Sequence, residues 1–257
     1  MNSILVSRSQ AARGLAVEAA RRGRLLWVTG IDTGVGKTLL ARLLVAWGRG
    51  SGRDVRAVKP FCAGSMDDIK EIDKVQSDIV GKWEVCRCYV RRPLAPWVAA
   101  RQSGLALPAR GEVIEWIGDR AAACDGLVVE GAGGLATPLG QGYSALELIE
   151  ASGGGVVVVG TNRLGVISQT RLAVIALQNV GVQSIGVVLM DRSRADAAMR
   201  SNAWALRELL GGAKVWRLPW YGNNSLGLNR IQTISKNIQK TLAQIFRTSR
   251  LCTLHRA

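Results

Sequence analysis

Between an apolar run, Leu25 to Thr29, and a segment of helical periodicity from Lys37 to Trp47 stands Gly30-Ile31-Asp32-Thr33-Gly34-Val35-Gly36-Lys37-Thr38. Glycines spaced this closely let successive backbone amides turn toward one point, and a helix that begins at once adds the positive end of its dipole. Lys37 supplies a mobile cation and Thr38 a hydroxyl oxygen of the kind magnesium accepts. The segment reads as a phosphate-binding loop in which Thr33, Gly34, Val35, Gly36, Lys37 and Thr38 face the phosphates. A Gly-rich turn followed by a chance Lys-Thr is the competing reading, and the flanking strand and helix argue against it. A loop of this kind joins strand to helix, which commits this part of the chain to an α/β fold.

The rest of the chain continues the alternation. Strands are predicted at Val55 to Val58, Leu127 to Val129, Val156 to Val159 and Ile185 to Leu189, and helices at Asp67 to Val80, Val166 to Asn179 and Ala195 to Leu210. Gly48 to Gly52 is expected to end the first helix. Strands and helices in turn predict one α/β domain of P-loop type, a parallel sheet with helices on both faces, over residues 25–224.

With 34 basic and 19 acidic side chains the 257-residue chain carries a formal charge of +15, which raises the question of nucleic acid or anionic lipid. The ends hold most of the excess. Residues 1–24 have five basic side chains and one acid, residues 225–257 six basic and none acidic, and the stretch between is only +5. The basic N-terminal extension, residues 1–24, and the basic C-terminal helix or tail, residues 225–257, are expected to be solvated segments outside the domain, dispensable for chemistry, and nucleic acid is not an expected partner. A chain trimmed to about Arg24 to Asn237 is accordingly expected to stay active. No apolar run is long enough to span a bilayer. The five cysteines lack the paired spacing of a zinc site or a disulfide framework, so reduced thiols and a cytoplasmic location are expected. His255 is the single histidine, nearly at the C-terminus, so carboxylates, lysines and backbone amides must carry any chemistry.

Two further features fall where predicted strands end, the edge of a parallel sheet at which ligands bind. A lysine at such a place, Lys59 before Pro60, can neutralise charge on a transferred phosphoryl group, and Glu130 can hold magnesium directly or through water. The glycines after Glu130, in Gly131-Ala132-Gly133-Gly134, let the backbone pass close to a ligand. Asp67 and Asp68 at a helix start fit two roles equally, a magnesium ligand or a capping charge.

Val28 to Thr38, Val58-Lys59-Pro60, Val129 to Gly134 and Leu164-Gly165-Val166-Ile167 occur in the order seen in dethiobiotin synthetases, and from Leu25 to Tyr221 the chain resembles that family. The resemblance implies a cytoplasmic homodimeric ligase of biotin biosynthesis that takes diaminononanoate, carbon dioxide and ATP, with Mg2+ as cofactor. It makes Lys59 and Lys37 catalytic, Thr38, Asp68 and Glu130 metal ligands, and Lys59, Ala63, Gly133, Gly165 and Val166 substrate contacts. Met190 and Pro219 fall on the base-binding positions.

The chain departs from the family at three points. Ala63 stands where a hydroxyl residue is frequent, with Ser65 nearby. Ser168-Gln169 replaces a common Asn-His, and Met190 replaces an asparagine that reads adenine, which predicts weak discrimination among nucleotides. The alternative is a P-loop switch ATPase that binds a partner or DNA. Chromosome-partitioning ATPases share the loop spacing but place a lysine where this chain has Asp32, which disfavours it.

Overall fold

The computed structural model describes residues 14, 16–19, 22–76, 85–211, 213–222 and 226–249. In chain order the elements are β1 (Leu25–Gly30), α1 (Lys37–Gly50), β2 (Val55–Val58), β3 (Phe61–Ala63), α2 (Asp67–Gln76), β4 (Cys88–Val90), α3 (Pro96–Ser103), α4 (Arg110–Ala122) and β5 (Gly126–Glu130). There follow β6 (Pro138–Gly140), β7 (Tyr143–Ser144), α5 (Ala145–Ser152), β8 (Gly155–Thr161), α6 (Val166–Asn179), β9 (Ile185–Met190), α7 (Ala197–Leu209), β10 (Lys214–Leu218), α8 (Leu228–Asn237) and α9 (Gln239–Phe246). Residues 77–80 of the predicted second helix, together with Cys252 and His255, lie outside the described residues.

Six strands form one sheet in the order β10-β9-β8-β1-β5-β2, and every neighbouring pair is parallel. Successive side chains of a strand point to opposite faces, and the core divides accordingly. Leu25, Trp27, Val156 and Val158 meet α4, α5, α6 and α7 on one side, while Leu26, Val28, Val157 and Val159 meet α1, α2, α8 and α9 on the other. A sheet buried on both faces needs apolar runs, which is why β1 and β8 were legible as strands.

The described parts of both extensions, residues 16–19 and 226–249, depart from the sequence expectation of solvated segments. Ala16 and Ala19 are buried in the first core. At the other end Ile231, Ile234, Leu242, Ile245 and Phe246 are buried against α1 and the sheet, and the Ser249 hydroxyl donates to the Gly23 carbonyl at 2.9 Å. The helices α8 and α9 keep their basic side chains outward and spend their apolar stripe on the core, so charge alone misdescribed them. Among the described residues, no helix is long and apolar enough to cross a membrane.

Candidate active site

The carboxyl ends of β1, β5, β8, β9 and β10 share one edge of the sheet, and the loop from Gly30 to Gly36 leaves β1 there. Gly36 caps α1 at φ 100°, and a Cβ at that position would lie 2.9 Å from Cγ of Met190, so glycine is required twice over. The Thr33 amide donates to Oδ1 of Asp32 at 2.7 Å, and Lys37 Nζ donates to the Asp32 carbonyl at 2.7 Å. Asp32 thus shapes the loop from within. The turn after Glu130 docks against it: the Leu135 amide donates to the Gly30 carbonyl at 3.0 Å, and a Cβ on Gly134 would press on the Ile31 carbonyl at 3.2 Å.

Lys59 is carried to the same place by β2, Asp68 by the first turn of α2, and Glu130 by the last residue of β5. Lys59 Nζ donates to Oδ2 of Asp68 and, at 2.8 Å, to Oε1 of Glu130. The same Oε1 accepts from the Thr38 hydroxyl at 2.8 Å. Burial disfavours the charge on Lys59, but Glu130 and Asp68 outweigh it and hold its pKa above the ordinary range. Burial likewise opposes ionisation of Asp68, and the Lys59 ammonium beside it prevails, so its pKa falls. Lys37 goes the other way: burial, aided by Lys59, pushes it down to about 8 against the pull of Glu130, Asp68 and Asp32. Cys62, two residues beyond Pro60, is pushed up to about 11 chiefly by burial, which keeps it a neutral thiol.

These residues surround one cavity of about 580 Å3. Thr33, Gly34, Gly36, Lys37, Thr38, Lys59, Ala63, Asp68, Glu130 and Gly133 all line it. Other residues picked out in the sequence stand apart. The Val35 side chain is buried in the core, leaving its backbone to the loop. Met190 packs beneath Gly36 and Pro219 follows β10, both outside this cavity. Gly165 caps α6 in a left-handed conformation, and the Val166 side chain is fully buried, so only backbone is offered there. Ser65 lines the cavity near Ala63, and its hydroxyl accepts from the Asp67 amide at 3.1 Å. Sequence reasoning missed Leu39, Arg42, Lys70, Glu71 and Lys74, which extend the wall between α1 and α2. The helical spacing of Arg42 from Thr38 and of Glu71 from Asp68 was the signal that could have found them.

The donor set fits a magnesium ion. Two carboxylates and a hydroxyl, all hard oxygen donors on three different elements, converge on the phosphate loop. Oε2 of Glu130 is buried and makes no hydrogen bond among the described residues, which is the state of an oxygen left for a cation.

The loop, the parallel sheet and the carboxylate-bracketed lysine define a P-loop nucleotide-binding protein, and the family described as "AAA domain" matches residues 24–242. Among solved structures, the hydrogenase maturation factor HypB from Archaeoglobus fulgidus superposes with a TM-score of 0.52 at 14% identity, over 92% of this chain and 99% of that one. The pNOB8 ParA bound to nonspecific DNA gives 0.53 at 9%, over 88% and 97%. At such identities these likenesses show the fold alone. Sequence relatives are much nearer. The ATP-dependent dethiobiotin synthetase BioD of Mycobacterium avium is 38% identical over 167 residues, 64% of this chain and 74% of the relative. That of Anaeromyxobacter dehalogenans is 35% identical over 202 residues, 77% and 90% of the two chains. The chain belongs to the ATP-dependent dethiobiotin synthetase family.

Proposed function

We propose that the protein is the ligase its relatives are named for, closing the ureido ring of dethiobiotin from 7,8-diaminononanoate, carbon dioxide and ATP. One amine of the substrate adds to carbon dioxide and loses a proton, giving a carbamate. A carbamate oxygen attacks the γ-phosphorus of ATP and ADP departs. The second amine then attacks the carbonyl carbon of the resulting carbamic-phosphoric anhydride, expels phosphate, releases its proton and completes the ring.

The observation that carries this reading is Lys59 held between Asp68 and Glu130 beside Lys37, in a cavity that the phosphate loop walls on one side. The chemistry needs little beyond position and charge, because each nucleophile is an amine or a carboxylate already. Amides from Thr33 to Thr38 cradle the triphosphate, and Lys37 meets its outer oxygens. Lys59 contacts the carbamate and the γ-phosphate, so its charge neutralises what gathers on the transferred group. Thr38, Asp68 and Glu130 hold Mg2+, which when bound screens the phosphate charges. Ala63 and Gly133 border the diamine, while Met190 and Pro219 flank the base from the β9 and β10 side. Backbone at Gly165 and Val166 receives the substrate carboxylate from a neighbouring subunit, a role supported by the exposed Leu164, Leu172 and Ile175 along α6 and the turn before it. The free thiols Cys62, Cys86, Cys88 and Cys124 favour work in the cytoplasm.

The test is direct. Purified protein with ATP, magnesium, bicarbonate and diaminononanoate should yield dethiobiotin, scored by mass. Lys59→Ala and Glu130→Ala should each lower the rate by more than about a hundredfold, as loss of a transition-state charge partner does. Product formation at the parental rate in either variant would overturn the assignment of the site.

A further inference from the structure

The helices α1 and α2 are joined by two polar rungs. The upper one lies in the site, where Thr38 on α1 and Asp68 on α2 are linked through Glu130 and Lys59. The lower one stands one turn below. Arg42 follows Thr38 by four residues on α1, Glu71 follows Asp68 by three on α2, and Arg42 Nη2 meets Oε2 of Glu71 at 2.7 Å. Arg42 is 1% exposed, and its Nη2 also donates to the Leu226 carbonyl at 2.5 Å, just ahead of α8. The other Glu71 oxygen takes the exposed Lys74 at 2.7 Å.

Burying a guanidinium is costly, and an apolar pair would fill the same space at less cost, so this pair calls for a reason other than stability. The reason lies in how α2 is held. Its buried residues, Ile72, Val75 and Gln76, all belong to its second half, and the first turn has only the half-buried Ile69 for an apolar anchor. Asp68 sits in that first turn, tethered by Lys59. A Lys59 ammonium turned to a substrate oxygen would release that tether.

We propose that Arg42 and Glu71 are positioning residues whose ion pair fixes the first turn of α2 against α1, so that the Asp68 carboxylate stays on the magnesium site while Lys59 engages substrate. Neither residue touches reacting atoms; both act through Asp68. The inference rests on the reading of Asp68 as a metal ligand.

The test uses the full chain carrying Arg42→Met and Glu71→Met together, which removes both charges and keeps the bulk. Binding of a non-hydrolysable ATP analogue is followed by calorimetry, in EDTA and across a magnesium titration. Affinity in EDTA should equal that of the parent, while the magnesium concentration giving half of the metal-dependent gain should rise about tenfold, the usual scale for a lost supporting contact at a metal site. Arg42→Lys keeps the charge but not the fork, should show a smaller rise, and serves the same comparison if the double variant does not fold. A magnesium titration that superimposes on the parent overturns the inference. So does an equal loss of affinity in EDTA, since Arg42 would then act on the phosphate loop. Asp68→Asn separates the two levels: no shift with Asp68→Asn removes the metal role of Asp68 itself, whereas a shift there and none in the rung variants removes the rung alone.

Discussion

Lys37 is buried away from the water that would favour its charge, and this has a measurable sign. Burial lowers its pKa from 10.5 to about 8 in the folded protein. Between those values the unfolded chain binds more protons than the folded one, so stability rises with pH in that window. At about 1.36 kcal/mol for each tenfold change in proton affinity, the charged lysine costs about 3 kcal/mol at pH 7. Replacing Lys37 by Met should therefore abolish turnover and yet stabilise the ligand-free protein by up to that amount in urea unfolding at pH 7, with the gain shrinking as pH rises from 8 toward 10.5. A variant less stable than the parent at pH 7 would show that the Lys37 bond to the Asp32 carbonyl matters more than its desolvation. The same titration weakens the ligand-free enzyme's hold on ATP as pH passes 8, read as a falling kcat/KM for ATP. Residues of the phosphate loop were legible in the sequence because their task follows from local order: glycine, amide, lysine, hydroxyl, helix. Arg42 and Glu71 stand at helical spacing from Thr38 and Asp68, but that the two meet each other shows only once α1 lies beside α2. The contact of Met190 with Gly36 is of the same kind, since it exists only once β9 lies beside the phosphate loop.

At the scale of elements, β2 and α6 run as predicted to the residue, since each is a clean apolar pattern bounded by turn residues. The first helix runs on to Gly50 because Gly48, read as a stop, is a packing glycine: a Cβ there would strike Val55 Cγ2 at 2.3 Å. The strand β10 escaped notice because Lys214 and Arg217 interrupt it, as an edge strand permits. The C-terminal segment was expected as a helix or tail outside the domain, but the structure buries Ile231, Ile234, Leu242 and Ile245 of its two helices in the core. The structure reverses what trimming should do. Phe246 packs on Trp47 with ring centroids 5.5 Å apart and fills the space over Gly126, where a Cβ would meet its ring at 2.6 Å. A chain ending at Asn237 loses α9 with Leu242, Ile245 and Phe246, and should be insoluble or melt far below the parent. Phe246→Ala alone should cost about 3 kcal/mol, the low end for a buried aromatic. Thermal melts of the two variants decide the matter, and a shortened chain with the parental midpoint would return the C-terminal segment to the status of a tail.

For the whole molecule the open question is what covers α6. Leu164 is 80% exposed, Leu172 66% and Ile175 44%, a set of large apolar side chains on the flank of a helix whose first residues are proposed to receive substrate. Gln169, Leu172, Ala173 and Ala176 also border a hollow shared with Ile31, Asp32 and Thr33 of the phosphate loop, so whatever lies on α6 lies beside the phosphates too. A second copy of the chain would answer both needs at once: it would bury Leu164 and Leu172, and bring the amides of its own Gly165 and Val166 toward a neighbour's cavity, which in one chain they do not line. The protein is therefore expected to be a dimer by light scattering at micromolar concentration. Leu172→Asp, placing a charge in that contact, should give a monomer with unchanged thermal stability, because the residue contributes little to the core of its own chain. In that monomer the KM for diaminononanoate should rise by about tenfold or more, the cost of a lost charge-assisted contact to its carboxylate, while ATP-analogue binding in EDTA stays at the parental level. A parent that is monomeric and fully active at nanomolar concentration would refute the shared site, and so would a monomeric Leu172→Asp protein with the parental KM.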